Sequence, residues 1–163
     1  MHLPYCGMKG VNTVMAVRKL TVLMMMAVFI LALAACGSGK AIPEANSVAT
    51  LGEALEAAGM RVAGPNHNDV LSSRFLSKPG VQYVASGEIV YAYEFDDDAE
   101  LAEHRALVSP DGYGIGLKYV NWSVAPSFFQ KGNLIVIYDG EAQLMLDTLV
   151  AAMGERFAGS DPD

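Results

Sequence analysis

From Leu20 to Ala35 the chain holds sixteen consecutive residues of which only Thr21 is not apolar, with no charge among them. Such a run cannot lie on the surface of a water-soluble domain, yet it falls short of the ~20 residues a helix needs to cross a bilayer. It fits the hydrophobic segment of a secretory signal peptide. Arg18 and Lys19 precede it as the positive region, and Ala34-Ala35 supply the small residues that a signal peptidase reads at its cut. The first fourteen residues exceed what such a leader requires, and "MAVRKL" from Met15 is complete by itself, so translation is expected to begin at Met15 or Met8.

The four residues Leu33-Ala34-Ala35-Cys36 resemble the lipobox of bacterial lipoproteins, in which a Leu stands three residues before the modified Cys with two small residues between. The resemblance implies cleavage between Ala35 and Cys36, a diacylglycerol in thioether linkage to Cys36, and a further acyl chain such as palmitate on the new amino terminus. It also implies export, with anchoring at the outer face of the cytoplasmic membrane or at the outer membrane. One acyl chain holds a protein to a bilayer only marginally, whereas two or three hold it firmly. Of the two cysteines, Cys6 lies in the leader and Cys36 would carry the lipid, leaving the exported part without a thiol.

Loss of the leader removes Lys9, Arg18 and Lys19. Eight basic residues then face 18 acidic ones, a formal charge of −10 against −7 for the whole chain. A surface of that sign repels phosphate backbones, so nucleic-acid binding is not expected.

The sequence divides into a signal peptide (1–35), a Gly/Ser/Pro-containing tether (36–49), a single domain (50–158) and a short tail (159–163). A tether of this composition reaches roughly 20 Å. Thr50-Leu51-Gly52-Glu53 reads as a capping box opening a first helix that ends at Gly59. Ser86-Gly87 divides two runs of β-branched and aromatic residues as a hairpin turn, and Tyr91, Tyr93 and Phe95 share one strand face. Asp97 to Glu100 opens a second helix through Leu107, and Ser109-Pro110-Asp111-Gly112 stops it. A strand is expected near Lys118 to Val124. A second hairpin turns at Lys131-Gly132-Asn133, and the uniformly apolar Leu134 to Tyr138 predicts a central strand covered on one face or both. Leu146, Leu149, Val150, Met153 and Phe157 then form the apolar stripe of a last helix. The order α-β-β-β-α-β-β-α predicts an α+β fold, an antiparallel sheet of four to five strands with helices on one face.

The Ser-Pro-Asp-Gly turn, Gly116, Trp122, Phe128-Phe129 and "KGNLIVIYDG" at 131–140 are together similar to a family of small, uncharacterised bacterial lipoproteins, over Thr50 to Gly159. That resemblance implies the anchored, exported state and carries no activity.

The chemistry-bearing residues are sparse. "EFDDDAELAEH" (94–104) is dense in acids, but a calcium loop counted from Asp96 would place Leu101 where the turn needs Gly and Leu107 where the bidentate Glu belongs. Acids favouring a helix amino terminus explain the run. Glu100 and His104 lie one turn apart, yet zinc needs further ligands, so neither a metal nor a cofactor beyond the covalent lipid is expected. "GYGIG" (112–116) follows a helix and precedes a strand, the reverse of a phosphate-binding loop. The chain has no nucleophile elbow, so a catalytic role rests only on a small envelope hydrolase built around His67 or His104. The aromatic residues exceed what a small core needs, and Tyr113, Trp122 and Phe128 are the candidates for an exposed binding surface. The reading is a lipid-anchored, non-catalytic module for a small ligand or envelope protein; a structural or assembly lipoprotein is the third alternative.

Overall fold

A computed structural model describes residues 40–67 and 75–159. Residues 1–39, Ala35 and Cys36 among them, lie outside the described residues, as do residues 160–163 of the tail expected over 159–163. The elements run in the order α1 (Val48–Ala57), β1 (Val62–Asn66), β2 (Val81–Ala85), β3 (Glu88–Glu94), α2 (Asp98–Ala106), β4 (Gly114–Ile115), β5 (Lys118–Tyr119), β6 (Ser127–Lys131), β7 (Leu134–Tyr138), α3 (Gln143–Met153) and β8 (Ala158–Gly159). An antiparallel six-stranded sheet in the order β1-β2-β3-β7-β6-β8 forms the body, and β4-β5 make a separate small hairpin. The α+β class and the antiparallel sheet are those read from the sequence, with more strands than the four or five expected.

Both predicted tight turns are present. Ala85 pairs with Glu88 across Ser86 and Gly87, whose φ angles of 53° and 97° are the left-handed values that a two-residue hairpin demands. Lys131 pairs with Leu134 across Gly132 and Asn133, where Gly132 alone takes a positive φ, of 53°.

The alternation along the strands splits the core into two layers. On one face Val81, Tyr83, Val90, Ala92, Val136 and Tyr138 meet α1 and α3. On the other, Tyr91, Tyr93, Ile135, Ile137 and Phe128 meet Leu101 of α2, Ile115 and Trp122. The expectation of helices on a single face therefore holds for α1 and α3, while α2 crosses to the opposite side. The physical reason lies in β3 and β7. Both parities of these strands are apolar, so each face has to be covered, and Leu101 is the one fully buried anchor α2 needs.

Several boundaries differ from the sequence reading. Helix α1 starts before Thr50, because Ser47 is the N-cap and Thr50 is the N3 partner: each side chain accepts from the other residue's backbone N–H. Ala45, assigned to the tether, is fully buried and donates its N–H to the Ala152 carbonyl at 3.0 Å. Helix α3 buries Met145, Thr148, Leu149, Ala152 and Met153, leaving Val150 exposed. Thr148 tolerates burial because its hydroxyl donates to the Leu144 carbonyl at 2.6 Å. The helix ends at Met153, since Gly154 takes φ 92°, and the chain returns as β8 beside β6 where the sequence suggested helix through Phe157. The strand expected over 118–124 is reduced to Lys118–Tyr119.

The two edges of the sheet are irregular or short. On β1, Pro65 lacks an N–H and the pairing with β2 slips between Ala63 and Asn66. At the other edge β8 contributes only two residues.

Candidate functional site

The loop that follows α2 is held by its own short polar groups. The Ser109 hydroxyl donates to Asp111 and accepts the Gly114 N–H at 2.7 Å, and Asp111 accepts the Tyr113 N–H at 3.1 Å. The Ser109 hydroxyl and that backbone amide hold the Asp111 carboxyl below the usual carboxylate range. Gly112 turns the chain with φ 76°, and a Cβ there would lie 2.9 Å from the Phe128 ring. Its carbonyl accepts the indole N–H of Trp122 at 2.9 Å in a buried hydrogen bond. The Ser-Pro-Asp-Gly turn thereby fixes the only tryptophan of the chain.

Trp122 packs at 4.6 Å, ring centroid to centroid, on Phe75, and edge-on at 5.9 Å to Phe128. Phe75 in turn meets Tyr91 of β3 edge-on at 4.9 Å. Beside this aromatic group β7 is followed by Asp139, whose carboxylate accepts the backbone N–H groups of Ser123 and Val124 at 3.4 and 3.2 Å. The result is a cleft of about 260 Å³ whose lining includes Phe75, Ile89, Tyr91, Asn121, Trp122 and Asp139. Asn121 and Ser123 are exposed at its rim, and Asp139 is half-buried.

The residue behind Asp139 is held with equal care. The Tyr138 hydroxyl donates to Glu88 at 2.7 Å and accepts the Ala142 N–H at 2.9 Å. Burial, followed by the bond to Glu88, raises the Tyr138 pKa far above the ordinary tyrosine range. Gly140 is required here, because a Cβ would collide with the Tyr138 hydroxyl and ring. The "YDG" sequence thus closes β7, places the carboxylate and starts the approach to α3.

The candidates read from the sequence separate on this geometry. Phe128 is fully buried and Trp122 is 7 % exposed, so neither forms an exposed surface; Phe128 is core, and Trp122 reaches only the wall of the cleft. Tyr113 is half-buried and stacks at 5.9 Å on Tyr119, which is 77 % exposed. Tyr119 was the exposed aromatic to find, and its position two residues beyond Leu117 in a two-residue hairpin was the available signal. Asp139 directly follows the central strand, and nothing in its local sequence sets it apart.

The acidic run is engaged in structure. Asp97 caps α2 by accepting the Glu100 N–H at 2.8 Å, and Glu94 accepts the Val48 N–H at the start of α1. Lys78 bonds Glu100 at 3.0 Å and Asp96 at 3.4 Å, and the Glu100 bond is the main cause that raises the lysine's pKa. His104 places Nδ1 3.0 Å from the Glu100 carbonyl oxygen and its ring against Phe95, so Glu100 and His104 do not converge on a common point. His67 is exposed and lines a separate groove with Glu94, Pro79 and Gly80. Among the described residues neither histidine is hydrogen-bonded to both a serine and a carboxylate. A larger groove of about 600 Å³ runs along α2, but there Arg105 covers the Phe157 ring at 4.9 Å, and the two groups satisfy each other.

Comparison with protein-family models, with curated proteins and with solved structures gives no match.

Proposed function

We propose that this chain is a lipoprotein, carried out of the cytoplasm by its leader and held to a membrane through acyl chains on Cys36, with a domain that binds a small ligand or an envelope partner without chemistry of its own. The observation that carries the anchored state is Leu33-Ala34-Ala35-Cys36 at the end of a charge-free apolar run preceded by Arg18-Lys19. No helix among the described residues is long and apolar enough to cross a membrane. The binding role rests on the cleft beside Trp122 and Asp139, where a carboxylate and aromatic walls meet at the surface.

Mass spectrometry of the intact protein extracted from membranes tests the anchor. The expected mass is that of Cys36 to Asp163 plus a diacylglycerol, with or without an amide-linked chain, and Cys36→Ala should leave the protein out of the detergent-rich phase. A mass that retains residues before Cys36 overturns the reading.

A further inference from the structure

We infer that the cleft beside Trp122 takes a small organic cation, an ammonium head group seated between the aromatic walls and the Asp139 carboxylate. The inference deepens the binding role proposed above and rests on it for its setting.

Three observations select this class. Among the described residues that line the cleft, Asp139 is the one that carries a charge. Its carboxylate accepts two backbone N–H groups, at 3.2 and 3.4 Å, while two carboxylate oxygens offer about four acceptor sites, so capacity remains for a further donor. Asp139 also takes part in none of the ion pairs among the described residues, where Lys78 serves Asp96 and Glu100 and Lys131 serves Glu44. The second observation is the wall itself: the buried rings of Tyr91, Trp122 and Phe75 line the same cleft, and aromatic rings attract cations, tryptophan most strongly. The third is size and field. About 260 Å³ lies just below the ~300 Å³ where drug-sized sites begin, which suits a head group of a few carbons. The chain around it carries a formal charge of −7, a field that gathers cations and disfavours anions. A neutral sugar would use Asn121 and Ser123 at the rim but would leave the carboxylate's charge uncompensated.

Trp122 is the only tryptophan and lines this cleft, so ligand entry can be read from its emission. The full chain in detergent micelles is titrated with choline, with the uncharged carbon isostere 3,3-dimethylbutan-1-ol, and with glucose. Choline should give a saturable emission change that weakens as sodium chloride is raised, and the isostere should give none. Asp139→Asn keeps one oxygen for the Val124 amide, gives up the longer 3.4 Å bond from Ser123, and should weaken choline about tenfold or more. The salt titration of the unaltered protein serves as the second measurement should that variant misfold. Isostere or glucose binding as strong as choline, or undiminished binding by folded Asp139→Asn, overturns the cation assignment and leaves the ligand-binding role standing. No emission change with any of the three overturns the site itself, while the anchor stands or falls separately on the intact mass.

Discussion

The two faces of the sheet are covered by different means, and the side chains differ accordingly. Under α1 and α3 the layer is mainly aliphatic: Leu51, Leu55, Met145 and Leu149 interlock with Val81, Val90 and Val136. Half of the opposite layer is aromatic, with Phe75, Tyr91, Tyr93, Phe95, Trp122 and Phe128 lying under one short helix and a long irregular loop. A helix presents a regular surface that branched aliphatic chains fill at close spacing. A loop cannot, so large flat rings span the uneven gaps beneath it, and polar turns fix the loop that carries them. Where the coverage ends, Val84 and Ile89 are left at the surface and the cleft opens beside Tyr91. The aliphatic side is sealed by two helices, and the aromatic side leaves a cleft open at the surface.

This contrast can be broken most forcefully at Phe128. Phe128→Ala should cost ~3–5 kcal/mol in chemical denaturation and shift Trp122 emission, because the indole packs edge-on to that ring. Leu149→Ala should cost ~2–5 kcal/mol and leave that emission unchanged, since Leu149 lies in the other layer. An equal spectral response in both variants would mean that the two layers behave as one.

A smaller effect belongs to Tyr138→Phe, expected to cost ~1–3 kcal/mol through the lost bonds to Glu88 and the Ala142 amide. The pH dependence has a defined sign. The folded state raises this tyrosine's pKa, so the stabilisation is intact below the ordinary value of 10.0 and is lost as pH rises above it. Thermal melts should show the variant converging on the parent in alkali; a constant difference from neutrality to strong alkali would contradict the assignment.

The least effect is expected at Ser109→Ala. Asp111 is depressed in the folded state chiefly by the Ser109 hydroxyl, so its contribution exists above the ordinary carboxyl value of 3.8 and fades as pH falls below it. The gap in melting temperature between parent and variant should therefore narrow on acidification. A gap that widens in acid would refute the turn's proposed role.

The sequence was most informative where local chemistry alone decides. Ser86-Gly87, Gly132 and the uniformly apolar Leu134 to Tyr138 specify hairpins and a central strand without reference to anything distant. Overlapping signals misled at α1, where Ser47-Val48-Ala49-Thr50 and Thr50-Leu51-Gly52-Glu53 both resemble caps, and burial of Ala45 decides between them. Apolar residues at 144, 145, 146, 149, 150 and 153 offer two stripes one residue apart on α3, and only the docked sheet selects Met145, Leu149, Ala152 and Met153. The site was the least legible part. Tyr91, Trp122 and Asp139 come from a strand, a loop and a strand end, and no spacing in one dimension announces that they share a cleft.

The irregular margins of the sheet bear on how these molecules behave when crowded. A long, straight strand at a sheet's border invites the border strand of a neighbour, and association of that kind grows with local density. Here one border is interrupted by Pro65 and a slipped register, and along the other a two-residue strand covers Ser127 and Phe128 of β6. Each device shortens the stretch of free backbone onto which a neighbouring copy could zip.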